Sequence, residues 1–210
     1  MKPILFNTDM VKAILAGKKT VTRRMIKNVP ENVYPGRCVM GAGLFDNETK
    51  VRVVAAPCHV NDILYVRETW CDPSGTGWPI IYKADLPMHW DAEETEHCEP
   101  VDLRVEDFKW RPSIHMPECA ARIFLRVTAV RAERLQDMRL IDCLKEGVGL
   151  TTAEQSDLVI QGMRARKRFS GVWDSTIKPA DLGTYGWEAN PWVWVIEFER
   201  CEVPGYGARK

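Results

Sequence analysis

The sequence predicts a mixed α+β fold, a β-barrel of short strands with helices between them. Three observations support this prediction. Several short segments alternate between apolar and polar residues as strands do, others repeat apolar residues at helical spacing, and the regular strand–helix–strand order of a parallel sheet does not occur. The 210 residues are 45% hydrophobic and suffice for one domain, which we expect over residues 1–203 with a flexible tail at 204–210.

Five segments predict strands, and the last of them is the clearest. Residues 20–26, 51–56, 63–70 and 122–130 are rich in β-branched residues or alternate in polarity. Residues 191–198 alternate strictly, so their large apolar side chains should share one face of a sheet. These side chains are Trp192, Trp194, Ile196 and Phe198.

Two short helices are predicted from their end signals. The first has Asn7 or Thr8 as its N-terminal cap and ends before Gly17, with apolar residues at helical spacing between them. The second is capped by Asp137 and ends before Gly147. Both glycines are expected in the left-handed conformation that ends many helices.

A third and longer helix is predicted after residue 150. Thr151 and Glu154 have the spacing of a capping box, and apolar residues follow at helical intervals as far as Met163. The cations of residues 164–168 then come close together. Such a run is typical of a solvated helix face, but together with the cations near residue 20 it would also form a stripe that binds phosphates.

Residues from about 71 to 117 differ from the rest of the chain in composition and in hydrophobic pattern. They contain several prolines, an acidic run at 91–99 and no sustained hydrophobic period. We interpret them as a long irregular insertion that covers one side of the core, not as a second domain. Four tryptophans in or beside it are candidates for stacking against an aromatic ligand: Trp70, Trp78, Trp90 and Trp110.

Charge and cysteine content exclude some classes of function. Basic and acidic residues number 29 each, which excludes nucleic-acid binding through overall charge but leaves a local basic patch open. With no long apolar run, no signal peptide and 7 scattered cysteines without a CxxC pair, we expect a cytoplasmic protein that does not enter a membrane. No cofactor is expected, and the spacing of the candidate metal ligands fits no zinc template. These ligands are His89, His97, Cys98 and His115.

The segment from Gly17 to Arg24 concentrates the side chains most able to do chemistry. Four cations and two hydroxyl groups directly follow the predicted end of the first helix. A basic strand edge in solvent would explain this composition, and so would a site for an anion or a polar ligand. Lys19 and Thr22 would point to opposite faces of a regular strand, so they converge only across a turn or bulge.

Gly17-x-Lys19-Thr20-x-Thr22-x-Arg24 resembles the GxKTxTxR signature of the ASCH family, which are small β-barrels of the PUA-like superfamily. Residues 62–70, the segment 133–137 with 146–147, and the tryptophan-rich last strand resemble further motifs of that family in the same order. Residues 110–117 and 190–194 are similar to a longer subgroup common in phages and prophages. The resemblance covers residues 1 to about 200.

The resemblance implies one of two activities. PUA-like barrels commonly bind RNA or modified nucleosides. One small bacterial branch of ASCH proteins hydrolyses the amide of N4-acetylcytidine with a lysine, a threonine and a glutamate. By motif position, these three catalytic residues correspond to Lys19, Thr22 and Glu146.

This set of side chains suits amide hydrolysis. Burial would lower the pKa of Lys19 until its neutral amine could take the proton of the Thr22 hydroxyl, which attacks the acyl carbon. Glu146 would orient the lysine or pass a proton to the leaving amine, Arg24 would hold a carbonyl or anionic group, and Glu68 is a second candidate for the carboxylate. The further candidates for binding the substrate are Arg67, Trp70 and Trp110.

Two other functions stay open at the level of the sequence. A non-catalytic module that binds RNA or a modified nucleotide needs a basic patch, for which the candidates are Lys18, Arg23, Arg164 and Arg166. Metal-free RNA cleavage by basic and hydroxyl groups is the other. The expected partner is a small nucleoside or RNA, and we expect the protein to be a monomer or a weak homodimer.

Overall fold

The computed structural model describes residues 1–73, 79–90, 101–104, 106, 108–148 and 158–205. These residues form a mixed α+β fold that consists mostly of sheets, as predicted. They fall into two compact units, each described separately below. The first unit comprises Met1–Leu15, Leu64–Leu125 and Arg200–Lys210, and the second comprises Ala16–Ile63 and Arg126–Glu199.

The first unit begins with a strand that the sequence patterns did not indicate. β1 (Lys2–Leu5) runs parallel to β6 (Ile63–Arg67), with Ile4 opposite Val66. α1 (Thr8–Leu15) follows β1 and confirms the first predicted helix. Asn7 caps this helix, because its Oδ1 accepts the Met10 N–H at 2.8 Å.

The described residues between 70 and 121 of the first unit have little regular structure. Two pairs of very short antiparallel strands occur there, β7 (Trp70–Cys71) with β8 (Ile81–Tyr82) and β9 (Met88–Trp90) with β10 (Val101–Leu103). Short 3₁₀ turns follow at Ser113–His115 and Glu118–Ala120. The acidic run at 91–99 and Trp78 lie outside the described residues, as does the side chain of Trp90.

The second unit contains a small antiparallel sheet of β3 (Val33–Cys38), β4 (Gly41–Asp46) and β5 (Arg52–Ala55). Of these strands, the sequence predicted only β5. β4 contains two glycines, and β3 contains one glycine and one proline, residue types that have low strand propensity. The tertiary packing overrides that propensity: a Cβ at Gly43 would come within 2.5 Å of Arg52 Cδ and 2.9 Å of the Val54 carbonyl oxygen.

The main strands of the second unit carry the site. β2 (Val21–Met25) pairs antiparallel with β12 (Trp192–Cys201), with Arg23 opposite Val195, and β11 (Phe124–Arg134) lies on the other side of β12. All three strands were predicted, although β11 and β12 are longer than expected. The alternation of β12 puts its predicted apolar residues on one face.

The sheet order is β1-β6-β11 in the first unit and β11-β12-β2 in the second. No sheet of the described residues closes into a barrel, so the barrel form of the prediction belongs to the proposals below. β11 and β12 each have residues in both units, and the extent of one domain over residues 1–203 stays a prediction.

Helices cover one face of β2 and β12 in the second unit. α2 (Leu140–Lys145) confirms the second predicted helix, but its N-terminal cap is Arg139 and not Asp137, which ends a 3₁₀ turn. The core against these strands is apolar. Its buried members are Val21, Leu135, Met138, Cys143, Ala165, Phe169, Trp173, Ile177, Val193 and Val195.

The third predicted helix is α3 (Leu158–Ser175), and a short α4 (Leu182–Tyr185) follows it. The capping box at Thr151 and Glu154 lies outside the described residues. The placement of Met163 on the apolar face is wrong, because this side chain is exposed while Ala165 and Phe169 are buried. Among the described helices, none has both the length and the apolar character needed to cross a bilayer.

Candidate functional site

Lys19 and Glu146 form a buried ion pair in the second unit. The Lys19 Nζ donates hydrogen bonds to Glu146 Oε2 at 2.6 Å and to the Glu146 main-chain oxygen at 2.9 Å. The two side chains are only 1% and 4% exposed. The structure therefore brings together two of the three predicted catalytic residues, which lie 127 positions apart in the sequence.

The backbone on both sides of the pair explains how the two residues meet. Lys19 and Glu146 form an antiparallel β-bridge, next to which the Thr20 N–H donates to the Lys145 carbonyl at 2.9 Å. Gly17, at a φ of 69°, turns the chain out of α1 two residues before Lys19, and Gly147, at 76°, turns it away from the end of α2. The two glycines that were predicted to end helices are therefore the points where the chain turns next to Lys19 and Glu146.

Burial dominates the electrostatics of Lys19. Removal from water lowers the pKa of its amine, the Glu146 carboxylate opposes that change, and the nearby cations Arg24 and Arg23 lower it further. Burial also lowers the pKa of Arg24, again against the attraction of Glu146. Because an arginine keeps its proton at any ordinary pH, Lys19 is the group that can become neutral.

Arg23 is the residue that the sequence placed wrongly. We predicted it as a surface cation for RNA, but its side chain is 0% exposed and bonded to carboxylates. Its Nη1 donates to Glu146 Oε1 at 3.0 Å, and its Nε and Nη2 donate to Glu133 Oε1 at 3.1 and 2.7 Å. A guanidinium held in this way is not accessible to a phosphate backbone.

The charges continue outward from Arg23 in two directions. Glu133 accepts a hydrogen bond from Arg131, which also pairs with Glu197. Asp142, 3.9 Å from Arg23, is held by Arg139 through bonds of 3.0 and 3.1 Å. Burial would raise the pKa of Asp142, but the hydrogen bonds from Arg139 lower it overall. The outer arginines are partly in water, whereas the Lys19–Glu146–Arg23 centre is not.

Thr22, the third predicted catalytic residue, lies on the opposite face of β2 from Arg23. It is 3% exposed and sits opposite Ile196 on β12. Arg24 shares this face by strand alternation and sits opposite Trp194. Thr22 and Arg24 thus lie on one face, and Arg24 interacts electrostatically with both Lys19 and Glu146.

The other cations proposed for RNA have mixed placements. Lys18 and Arg164 are exposed and accessible. Arg166 is half-buried: its Nη2 donates to the Gln136 carbonyl at 2.7 Å and its guanidinium lies 5.3 Å from the Trp187 ring centre. Arg166 therefore ties α3 to the turn after β11, a role that does not require a nucleic acid.

Glu68, proposed as a second candidate carboxylate, belongs to the first unit and is fully engaged there. It is 1% exposed, and Arg122 donates two hydrogen bonds to its carboxylate, at 2.9 and 3.0 Å. Burial raises the pKa of Glu68 although Arg122 opposes the change. Arg122 also bonds Asp85 at 2.7 Å and stacks on Tyr82, 3.9 Å from the ring centre. The pattern is that of a structural clamp.

The aromatic and cationic candidates of the first unit are packed more tightly than a stacking role requires. Trp70 is 4% exposed, with the guanidinium of Arg111 5.1 Å from its ring centre. Trp110 is half-buried against Phe108 beside a small apolar cluster. Arg67 donates to the Ile114 carbonyl at 3.2 Å. Their roles in binding a substrate stay predictions.

We expect Arg122→Ala to destabilise the protein by about 3–5 kcal/mol, because it leaves the Glu68 carboxylate buried without its bidentate partner. The free energy of unfolding in urea measures the effect. The matched control is Arg126→Ala, since the exposed Arg126 pairs with Glu199 only at 3.8 Å and should contribute about 0–1 kcal/mol. Equal losses in the two variants would contradict the clamp.

A cavity of about 530 Å³ opens at the far end of β2 in the second unit. Ile26, Trp192, Arg134 and Tyr185 are among the residues that line it, whereas Lys19, Thr22 and Glu146 are not. The Arg134 guanidinium stacks on Trp192, 4.5 Å from the ring centre. Aromatic rings and guanidinium planes are the surfaces on which unstacked bases are held.

Within the described residues, no group of three or more His, Cys, Asp and Glu side chains is arranged to hold a metal ion. Of the four candidate ligands, His97 and Cys98 lie outside the described residues, as does the His89 side chain. Comparison of the chain with protein-family models, with curated proteins and with solved structures found no match. The resemblance to the ASCH family therefore rests on the motifs themselves.

One signal in the sequence indicates Arg23 as part of the site. Val21 and Met25 alternate with Thr22 and Arg24 along β2, and Val21 is a core residue. Arg23 has the parity of the apolar residues and so points toward α2. A charged residue at an apolar position needs a buried partner, and Glu133 and Glu146 supply it.

Proposed function

We propose that this chain is an amidohydrolase of a PUA-like, ASCH-type fold that removes the acyl group from N4-acylated cytosine nucleosides. The observation that carries the proposal is the buried Lys19–Glu146 pair, in which a lysine with a lowered pKa donates to a carboxylate at 2.6 Å. A general base must be able to lose its proton near neutral pH, and burial shifts the pKa of Lys19 in that direction.

In the proposed reaction, the neutral Lys19 amine takes the proton of the Thr22 hydroxyl as the oxygen attacks the acyl carbon. The tetrahedral intermediate then expels the N4 amine, which takes a proton back from the Lys19 ammonium. Water hydrolyses the resulting Thr22 ester with Lys19 again as the base, which releases the carboxylic acid and restores the hydroxyl group. The products are the free cytosine nucleoside and the acid.

Glu146 and Arg24 suit two other requirements of this reaction, the orientation of the base and the stabilisation of negative charge on the acyl oxygen. Lys19 donates hydrogen bonds to the Glu146 carboxylate and to the Glu146 main-chain oxygen, at 2.6 and 2.9 Å. Glu146 thereby fixes the orientation of the amine. Arg24, on the same face of β2 as Thr22, is the cation for the negative charge that develops on the acyl oxygen.

The direct test is to incubate the purified protein with N4-acetylcytidine and to follow the release of cytidine and acetate. Acetylated lysine derivatives and simple anilides serve as comparison substrates, because they offer an amide without the cytosine ring. Release of cytidine that is faster than from the comparison amides supports the proposal. No release from N4-acetylcytidine, with the protein shown to be folded, contradicts it.

The cavity with the Arg134–Trp192 stack favours a second candidate function, a non-catalytic module that binds RNA or a modified nucleotide. Its cavity lining provides a ring and a cation without any nucleophile or base. In this case the neutral overall charge makes a local patch responsible for binding, and Arg134 is a cation of the cavity lining.

If the chain is such a module, its affinity for single-stranded RNA should fall as salt rises, and Arg134→Ala should weaken it about tenfold or more. Fluorescence anisotropy of a labelled oligoribonucleotide measures both effects. Arg126→Ala, which removes an exposed arginine away from the cavity lining, is the control. This function would be excluded if the affinity for RNA did not change with salt, or if Arg134→Ala and Arg126→Ala weakened binding equally.

A further inference from the structure

Lys19 and Arg23 share one buried carboxylate at the centre of the site. Lys19 binds Glu146 Oε2 at 2.6 Å, and Arg23 binds Glu146 Oε1 at 3.0 Å. The three side chains are 1%, 0% and 4% exposed, so water screens their charges only weakly. The Glu146 carboxylate lies between the Lys19 amine and the Arg23 guanidinium, and an arginine keeps its proton at any ordinary pH.

The position of Arg23 is fixed from the side away from Lys19. Glu133 Oε1 accepts from both Nε and Nη2, and Asp142 Oδ2 lies 3.9 Å away. Its guanidinium therefore has carboxylates on three sides and cannot turn away from Glu146 without breaking buried hydrogen bonds. The Arg23 guanidinium is therefore held in place next to the carboxylate that Lys19 binds.

We propose that Arg23 is a positioning residue, which fixes the Glu146 carboxylate against Lys19 and, as a buried cation, adds to the effect of burial in favouring the proton-accepting form of the Lys19 amine. The part of this inference that concerns catalysis rests on the proposed function, whereas the protonation of Lys19 does not. Arg23 itself lies on the opposite face of β2 from Thr22, so it acts through Glu146 and Lys19.

The charged groups around Lys19 give the sign of the effect. Glu146 faces it from the end of α2, and Arg23 and Arg24 face it from β2; burial lowers the Lys19 pKa, Glu146 raises it, and the arginines lower it. Glu133 and Asp142 face Arg23 and partly offset its charge. Loss of the Arg23 charge should therefore raise the Lys19 pKa, and loss of the Glu133 charge should lower it.

The experiment follows the protonation of Lys19 directly, by recording the NMR signal of its Cε atom as a function of pH in protein that contains isotopically labelled lysine. The signal that is absent from the spectrum of Lys19→Arg is assigned to Lys19. In Arg23→Gln we expect the titration to move to higher pH, and in Arg23→Lys to stay near that of the unmodified protein. Glu133→Gln should move the titration of Lys19 to lower pH. This variant also tests the proposal if Arg23→Gln does not fold. Arg126→Gln, at the exposed pair with Glu199, should change nothing.

The hydrolysis of N4-acetylcytidine gives a second, separate readout. Since the neutral amine is the active form, kcat/KM should rise with pH through the Lys19 pKa, and in Arg23→Gln this rise should move to higher pH by the same amount. A Lys19 titration that is unmoved in Arg23→Gln, or that moves up in Glu133→Gln, overturns the role of Arg23. Expected shifts without any hydrolysis leave that role standing and reject the proposed function instead.

Discussion

Lys19→Ala is expected to lower kcat for N4-acetylcytidine by about 10²-fold or more, with little change in KM. The variant removes both the proposed base and a charge that stabilises the developing oxyanion. Folding should survive, because Glu146 keeps its hydrogen bond from Arg23 at 3.0 Å. Steady-state kinetics, with circular dichroism to confirm the fold, measure the loss.

Lys19→Arg separates the two roles of this residue. An arginine retains a positive charge opposite Glu146 but cannot act as a base at neutral pH. We expect it to be as inactive as Lys19→Ala if proton transfer is the essential step. Lys27→Ala, an exposed lysine just beyond β2, should keep full activity. An active Lys19→Ala enzyme would leave the binding-module interpretation as the better one.

Thr22→Ala should reduce kcat by a similar factor, about 10²-fold or more, because it removes the proposed nucleophile. Thr22→Ser keeps the hydroxyl group and should retain measurable activity. The exposed neighbour Thr20 gives the matched control, since Thr20→Ala leaves its backbone bond to Lys145 intact. Mass spectrometry of rapidly quenched reactions should show an acyl group on Thr22.

A different pattern of rates would point to a different nucleophile. If Thr22→Ala keeps its activity while Lys19→Ala loses it, water attacks the acyl carbon directly and Lys19 activates that water. If Thr22→Ser is as inactive as Thr22→Ala, the hydroxyl group is not the feature that matters. Either result would contradict the covalent route.

The sequence predicted the pairing of Lys19 with Glu146, but only through the family resemblance. Hydrophobic periodicity places Lys19 next to a strand and Glu146 at a helix end, and it contains no information about their contact across the chain. The two helix-ending signals, Gly17 and Gly147, were correct because a positive φ is a local property of the backbone. The long-range contact comes from the docking of α2 beside β2.

Other features were missed because tertiary packing overrides local preference, although the alternation along β2 does give Arg23 the parity of the core residue Val21. β3 and β4 were missed since their glycines disfavour a strand, yet close packing against Arg52 and Val54 requires glycine at position 43. Arg23 was assigned to the surface because most arginines lie there. Its burial depends on Glu133, a partner from β11 that local pattern cannot place.

The hydrogen bond from Lys19 to the main-chain oxygen of Glu146, at 2.9 Å, has a consequence for how this site tolerates sequence change. Every residue type supplies that oxygen, so a substitution at position 146 removes a charge but leaves an anchor for the amine. That anchor does not replace the carboxylate, because Lys19 and Arg23 would both lose the buried partner that they share. A search for distant homologues should therefore require the lysine, the helix end and a carboxylate at position 146.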